Sequence, residues 1–192
     1  MKKTAILLAV FAASCSNNST KENPPTVDSS NVQLSAPIFS DSVIVYKYEG
    51  DMPKMDTAYI KNATEPLKAI IGYYSYQFNT ACKDTKHCQL TSALGFEQDS
   101  PQHKSLVQKW FKDEDTKNSI ANGGNAKPDG EDSYSWLSSL SFFVNGKDVK
   151  VKYTSSWISK DIHGKGQGDD TYRMEENEVK VINRNHTELD VQ

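Results

Sequence analysis

The stretch LSFFVNGKDVKVKY, residues 140–153, decides the fold class that this sequence predicts. Apolar and polar residues alternate on both sides of Asn145-Gly146, a dipeptide typical of the two-residue turn of a β-hairpin. Turning the chain at this dipeptide predicts two cross-strand pairs on one face: Phe142 with Val149, and Leu140 with Val151. We therefore expect a hairpin with one buried face.

A second hairpin is expected around Glu176-Asn177, closer to the C-terminus. The apolar residues that flank this turn alternate with polar ones and are predicted to pair across it: Met174 with Val179, and Tyr172 with Val181. This register also sets Arg173 against Lys180, a like-charge pair that should weaken it.

The N-terminal half adds further strand signals. Residues 43–48 are β-branched and aromatic and end at a polar, glycine-containing segment, which predicts a strand. The short run from Thr57 to Ile60 is predicted to form a second strand.

The clearest helix signal lies between these strand regions. Thr64 can cap a helix that has Pro66 in its first turn. The apolar residues that follow have helical spacing and form one face, with Gly72 expected to face away from it: Leu67, Ile70, Ile71, Tyr74 and Phe78. Two more helices are predicted, one from Leu90 that ends at Gly95 and one that begins at Ser100-Pro101.

The predicted fold class is α+β, with two or three helices packed on one face of an antiparallel sheet that is dominated by a C-terminal β-meander. The order of the elements resembles the cystatin-like or NTF2-like layout, in which a helix is cradled by a curved sheet. That resemblance implies an arrangement of helices and strands and carries no function.

The first fifteen residues have the pattern of an export signal. A basic start, Lys2-Lys3, precedes an apolar run of nine residues, Ala5 to Ala13, which is too short for a membrane-spanning helix of about 20 residues. The segment Ala12-Ala13-Ser14-Cys15 then resembles the lipobox of bacterial lipoproteins. The resemblance implies cleavage before Cys15 and lipidation of that cysteine. An ordinary secretory signal that happens to precede a cysteine is the alternative.

These signals divide the chain into a signal peptide (residues 1–14), a lipidated cysteine with a flexible tether (15–37) and a single folded α+β domain (38–192). The tether is rich in Ser, Asn and Pro and lacks aromatic residues, a composition typical of disorder. The protein is expected in the bacterial cell envelope, held to a membrane by acyl chains. By resemblance to enterobacterial sorting, Ser16 favours the outer membrane over the inner one, and either face of that membrane is compatible with the sequence.

The charge of the chain limits the classes of partner that it can bind. Removal of residues 1–14 takes the formal charge from −3 to −5, and an acidic chain is a poor candidate for binding nucleic acid.

Cys82 and Cys88 are separated by five residues and would lie outside the cytosol, so we expect a disulfide between them. A redox-active pair is the alternative, and it usually has Cys-x-x-Cys spacing.

The sequence contains no Walker A loop, nucleophile elbow, zincin motif or zinc-binding Cys/His spacing. One cluster could hold a divalent ion: Asp161, His163, Asp169 and Asp170. The intervening glycines favour a different interpretation, a hairpin loop without a ligand, so neither a metal nor another cofactor is expected. Two aromatic residues beside the helix stripe, Tyr73 and Tyr76, are candidates for binding a partner or a sugar, although packing under a neighbouring element is more common for such residues.

Three functions remain compatible with these features. The first is a non-catalytic envelope lipoprotein that binds an unknown protein or glycan. The second is an enzyme with an unrecognised site, assisted by a metal ion in the Asp161–Asp170 loop. The third is a structural subunit of an envelope assembly. The lack of catalytic motifs favours the first.

Overall fold

The structure is a computed structural model that describes residues 41–49, 52–78, 89–97, 100–122, 133–159 and 161–189. Within these ranges the chain combines helices with an antiparallel sheet, which confirms the α+β class. The strands are β1 (Val43–Glu49), β2 (Met52–Met55), β3 (Ser133–Asn145), β4 (Asp148–Ser159), β5 (Ile162–Met174), β6 (Val179–Asn183) and β7 (His186–Leu189). The helices are α1 (Thr57–Asn62), α2 (Glu65–Phe78), α3 (Gln89–Ala93), α4 (Pro101–Trp110) and α5 (Glu114–Ala121).

The strands of the described residues form one sheet in the order β2-β1-β3-β4-β5-β6, and β7 also pairs with β5. Strands β3, β4 and β5 are the longest, with 13, 12 and 13 residues, and form the predicted C-terminal meander. Helix α2 packs on one face of this sheet, where the Tyr74 ring lies 5.0 Å from the Tyr153 ring of β4. We call this the inner face, and the opposite one the outer face.

The first hairpin forms where it was predicted, but its predicted register is wrong by two residues. Phe142 pairs with Val151 rather than Val149, and Leu140 pairs with Tyr153. The turn begins one residue later than expected, because Gly146 occupies the first turn position with a φ of 58° while Asn145 still pairs with Asp148. A shift of two residues keeps every side chain on its original face, so the predicted buried face is correct.

The second hairpin has the predicted register, with Met174 opposite Val179. The like-charge pair of Arg173 and Lys180 is also present, and each cation has an acidic partner elsewhere. Arg173 donates to both carboxylate oxygens of Asp148 at 2.7 and 3.3 Å, and Lys180 lies 3.3 Å from Glu178. These acidic partners reduce the repulsion between Arg173 and Lys180 that the register alone would produce.

The predicted helices at residues 65–78, 89–93 and 101–110 are confirmed. Ser100 caps α4 by accepting a hydrogen bond from the backbone N–H of His103 at 3.2 Å, with Pro101 in the first turn. Gly95, with a φ of 84°, follows the end of α3. Capping residues therefore mark the start of α4 and the end of α3 as predicted.

One prediction about the N-terminal half is wrong. The run from Thr57 to Ile60 belongs to helix α1 instead of a strand, because the Asp56 side chain accepts a hydrogen bond from the Tyr59 backbone N–H at 2.8 Å and caps a helix there. Gly72 is off the apolar stripe of α2, but that side of the helix is covered as well. It is buried against α4, where the His103 Nε2 lies 2.9 Å from its carbonyl oxygen, and a Cβ at Gly72 would lie 3.3 Å from that nitrogen.

The hydrophobic core lies between α2 and the inner face of the sheet. Its fully buried side chains include Ile70 and Ile71 from α2, and Leu140, Phe142 and Val151 from the sheet. In the part of the chain that is described, no helix is long and apolar enough to span a membrane.

Candidate functional site

A cavity of about 590 Å³ lies between α2 and the inner face of β3, β4 and β5. Helix α2 forms one wall with Tyr73, Tyr74, Gln77 and Phe78. The sheet and the segment around β7 form the rest of the lining: Ser135, Tyr153, Ser155, Trp157, Asp170, Arg184, His186 and Glu188. A cavity of this size, with aromatic walls and a few polar groups, has the features of a small-molecule site.

The cavity is deep because three glycines occupy alternate positions of β5 beneath it. Gly164, Gly166 and Gly168 all face inward, because successive strand residues point to opposite faces. Each leaves space that a neighbouring ring occupies. A Cβ at Gly164 would lie 2.2 Å from the Trp157 ring, and one at Gly168 would lie 2.1 Å from the Tyr153 ring.

The middle glycine has the same role for a histidine from β7. A Cβ at Gly166 would lie 2.6 Å from Cε1 of His186 and 2.8 Å from the Ser155 hydroxyl. The His186 ring is nearly parallel to the Tyr153 ring, with the two planes 10° apart and the centroids 6.1 Å apart. Its Nδ1 lies 3.2 Å from the Tyr153 hydroxyl. Because glycine occupies these positions, the rings can lie directly over the backbone of β5.

Asp170 continues the inward series of β5 and is buried, with 2 % of its surface exposed. Its Oδ2 accepts hydrogen bonds from the hydroxyls of Tyr74 and Tyr172, the latter at 3.2 Å, and its Oδ1 accepts one from the backbone N–H of Asn185 at 3.1 Å. The two tyrosine hydroxyls are 2.7 Å apart. Three donors therefore satisfy this carboxylate inside the protein.

Burial raises the pKa of the Asp170 carboxyl above its ordinary value, although the hydrogen bonds from Tyr74 and Tyr172 and the charge of Arg184 act in the opposite direction. Burial also raises the pKa of the Tyr74 hydroxyl well above its ordinary value. The tyrosine is therefore a neutral hydrogen-bond donor to Asp170 at physiological pH.

Arg184 reaches the inner face because the chain breaks between two short strands. Strands β6 and β7 both pair with β5, and the residues between them turn one side chain inward. The guanidinium carbon lies 4.5 Å from the centre of the Tyr73 ring, and Nη2 donates to the Thr116 hydroxyl at 2.7 Å. Nη1 lies 3.7 Å from Asp113. Protein groups thus hold Arg184 at both Nη atoms and at the face of its guanidinium, while its buried Nε has no hydrogen-bond partner among the described residues.

The Asp161–Asp170 segment was predicted to be a loop, and this prediction is wrong. Residues 162–174 form β5, which pairs antiparallel with every residue of β4 from Asp148 to Ser159. A mixture of glycine and polar residues is typical of a loop, but here the two kinds of residue alternate along a strand. The glycines pack against rings on the inner face, while exposed polar residues lie on the outer face.

A strand separates the four candidate metal ligands. Asp161 and His163 are exposed near the start of β5, and Asp169 lies about 20 Å further along the strand at the usual rise per residue. Asp169 faces outward and pairs with Lys150 at 2.9 Å, whereas Asp170 faces inward. Among the residues described, no group of three or more His, Cys, Asp or Glu side chains could hold a metal ion.

The two tyrosines that were binding candidates have different positions. Tyr73 is half-buried and lines the cavity beneath Arg184. Tyr76 is 2 % exposed and packs edge-to-face on His103, with ring centres 5.6 Å apart, away from the cavity. The two candidate disulfide cysteines, Cys82 and Cys88, and the candidate lipidation site, Cys15, lie outside the described residues.

Sequence reasoning missed most of the cavity lining. The alternation of glycines in GKGQGD, residues 164–169, was a usable signal, since it places three small residues on one face of any strand. No comparable signal marks Arg184 or His186. Comparison with models of protein families, with curated proteins and with solved structures found no match to this chain.

Proposed function

We propose that this protein is an envelope lipoprotein whose folded part binds a small, uncharged, ring-containing ligand without converting it. The observation that carries this proposal is the cavity of about 590 Å³ beside α2, with aromatic walls and polar groups spaced between them. The anchor and tether expected from the N-terminal sequence would hold this cavity near a membrane.

The contacts of two charged groups in the lining, Asp170 and Arg184, favour a structural role over a catalytic one for these two residues. A general acid or base must reach the proton that it transfers, and it needs capacity for a new hydrogen bond. Asp170 already accepts from Tyr74, Tyr172 and the Asn185 backbone, and Arg184 is held by Thr116 and Tyr73. These two groups therefore stabilise the wall of the cavity.

The function can be tested with ligand-observed NMR on a library of small neutral and charged molecules. Ser155→Phe places a ring in the cavity, because Ser155 is buried and faces inward. Ser156→Phe is the matched control, since it makes the same change at the next residue of β4, which points to the outer face. We expect neutral ring compounds to bind the wild type and the control but not Ser155→Phe.

Equal binding to the two variants, with both folded by circular dichroism, would contradict a function in this cavity. The absence of any ligand for the wild type across the library would contradict it as well.

The anchor provides a second test, which does not depend on the cavity. We predict that the mature wild type enters the detergent phase in Triton X-114 partitioning because of acyl chains on Cys15. Cys15→Ser should accumulate as uncleaved precursor instead. Mature forms of both proteins that partition equally would argue against a lipoprotein.

The cysteine pair provides a third test, which is also independent of the cavity. We expect mass spectrometry of unreduced tryptic peptides from the exported protein to show Cys82 linked to Cys88. Closing so short a loop should add about 2–3 kcal/mol to the free energy of unfolding in the chain-entropy model. Two free thiols in the exported protein would rule the disulfide out.

A further inference from the structure

A row of three rings distinguishes the floor of the cavity from an ordinary hydrophobic core. Trp157, His186 and Tyr153 lie over Gly164, Gly166 and Gly168, so that each ring covers the backbone of β5 instead of a side chain. We call these three rings the ring platform. Residues with side chains at the three glycine positions would push the rings away from the sheet and fill the cavity.

The two ends of the ring platform differ in what covers them. Tyr74 and Phe78 of α2 pack on Tyr153, with ring centres 5.0 and 5.1 Å from it. Trp157 is half-buried and His186 is exposed, and both line the cavity. The part formed by Trp157 and His186 is therefore the part that a ligand can reach.

The polar groups around this end can both donate and accept hydrogen bonds. The hydroxyls of Ser135 and Ser155 can do either, and the Glu188 carboxylate accepts only. Such a set suits a ligand that carries several hydroxyl groups around a ring. The apolar C–H face of the same ring could then stack on Trp157.

The charged side chains of the cavity lining disfavour an anionic ligand. The cation that lines the cavity, Arg184, lies against Tyr73 and donates from Nη2 to Thr116, while its Nε has no hydrogen-bond partner among the described residues. Its Nη1 is 3.7 Å from Asp113, so a protein carboxylate already balances part of the charge that would attract a phosphate or carboxylate. Glu188 adds a negative charge that would repel such an anion. A neutral ligand avoids this repulsion.

From this geometry we infer that the cavity binds a neutral saccharide, with one sugar ring stacked on Trp157 and its hydroxyl groups bonded to Ser135, Ser155 and Glu188. This inference rests on the proposed function and names the ligand class of the same site. The stacking explains why a tryptophan lies over a glycine at the open end of the ring platform, where it contributes little to the closed core.

The experiment uses the full chain in detergent micelles, labelled with 5-fluorotryptophan. The protein has three tryptophans, and Trp110, Trp136 and Trp157 can each be assigned with a Trp→Phe variant. Trp136 lies on β3 beside the cavity but faces the outer side, since it pairs with Ser156 while Ser135 pairs with Trp157. A ligand in the cavity should therefore shift the Trp157 fluorine resonance and leave that of Trp136 unchanged.

The probes are neutral oligosaccharides, namely β-1,4-linked glucose, β-1,4-linked N-acetylglucosamine and α-1,4-linked glucose, with benzamide and tetramethylammonium as probes that are not sugars. We expect at least one saccharide to shift the Trp157 resonance. Trp157→Ala should weaken its affinity about tenfold or more, equivalent to about 1.4 kcal/mol, whereas Trp136→Ala should not.

The outcomes separate this inference from the function on which it rests. Binding of benzamide at Trp157, with no response to any saccharide, would overturn the saccharide assignment and leave the binding function intact. Binding of tetramethylammonium alone would contradict both the saccharide assignment and an uncharged, ring-containing ligand. Saccharide binding that survives Trp157→Ala would overturn the role of the ring platform. No response of the Trp157 resonance to any probe would count against both.

Discussion

Gly168→Ala should destabilise the protein by about 1–3 kcal/mol or more, although it adds only one methyl group. The new Cβ would lie 2.1 Å from the Tyr153 ring, which Tyr74 and Phe78 hold from the other side. The ring cannot retreat without disturbing α2, so the strand must move. Chemical denaturation monitored by circular dichroism measures the change in the free energy of unfolding.

A neighbouring position supplies the control. Gln167→Ala removes an exposed side chain from the outer face of the same strand, and it should change stability by less than about 0.5 kcal/mol. In a double-mutant cycle, Tyr153→Ala should remove most of the penalty of Gly168→Ala, because no ring remains to collide with. Additive effects of the two substitutions would mean that Gly168 does not accommodate the ring.

Gly166 and Gly168 should differ in their sensitivity to substitution by alanine. In Gly166→Ala the new Cβ would lie 2.6 Å from Cε1 of His186. This histidine is exposed, so its ring has room to turn away from the cavity floor. We therefore expect a smaller loss at Gly166 than at Gly168. This order reflects the freedom of the neighbouring ring, since the added methyl group is the same in both variants.

Tyr74→Phe should cost about 1.5–3 kcal/mol at neutral pH and less in acid. The Tyr74 hydroxyl donates to the buried carboxylate of Asp170, and this hydrogen bond lowers the pKa of that carboxyl against the larger effect of burial. A hydrogen bond to a charged acceptor is stronger than one to a neutral acceptor, so the loss grows as Asp170 ionises.

The direction of the pH dependence follows from linkage. The pKa of Asp170 in the folded protein is raised above its ordinary value of 3.8, so the folded state binds this proton more tightly than the unfolded state. The stability that Asp170 contributes is complete below pH 3.8 and declines as pH rises through the folded pKa. Tyr74→Phe should raise that pKa further and extend the decline to higher pH.

Tyr76 offers a matched control on the same helix. It is as buried as Tyr74, and its hydroxyl has no hydrogen-bond partner among the described residues. Tyr76→Phe should therefore be neutral or slightly stabilising, because it removes a buried polar group that nothing satisfies. Unfolding curves between pH 4 and pH 7 test both variants. A Tyr74→Phe penalty that stays constant across this range would exclude a charged Asp170 as its acceptor.

Much of the fold follows from short-range patterns in the chain. Helix α2 and the hairpin around Glu176-Asn177 could be predicted because periodicity, caps and turn residues lie within a few positions of one another. The face of the first hairpin was predictable for the same reason. Its register was not, because Asn145-Gly146 allows a turn that starts at either residue, and the difference preserves the buried face.

The cavity depends on contacts that no local pattern encodes. Tyr74 and Asp170 are 96 residues apart, and Asp170 faces inward only because residues 162–174 form a strand between β4 and the short strands β6 and β7. Once this strand is paired, its glycines leave room for three rings. The chain between β6 and β7 then places Arg184 against the Tyr73 ring. Turns and helices are encoded by neighbouring residues, whereas this binding site is assembled by the pairing of strands that are distant in the chain.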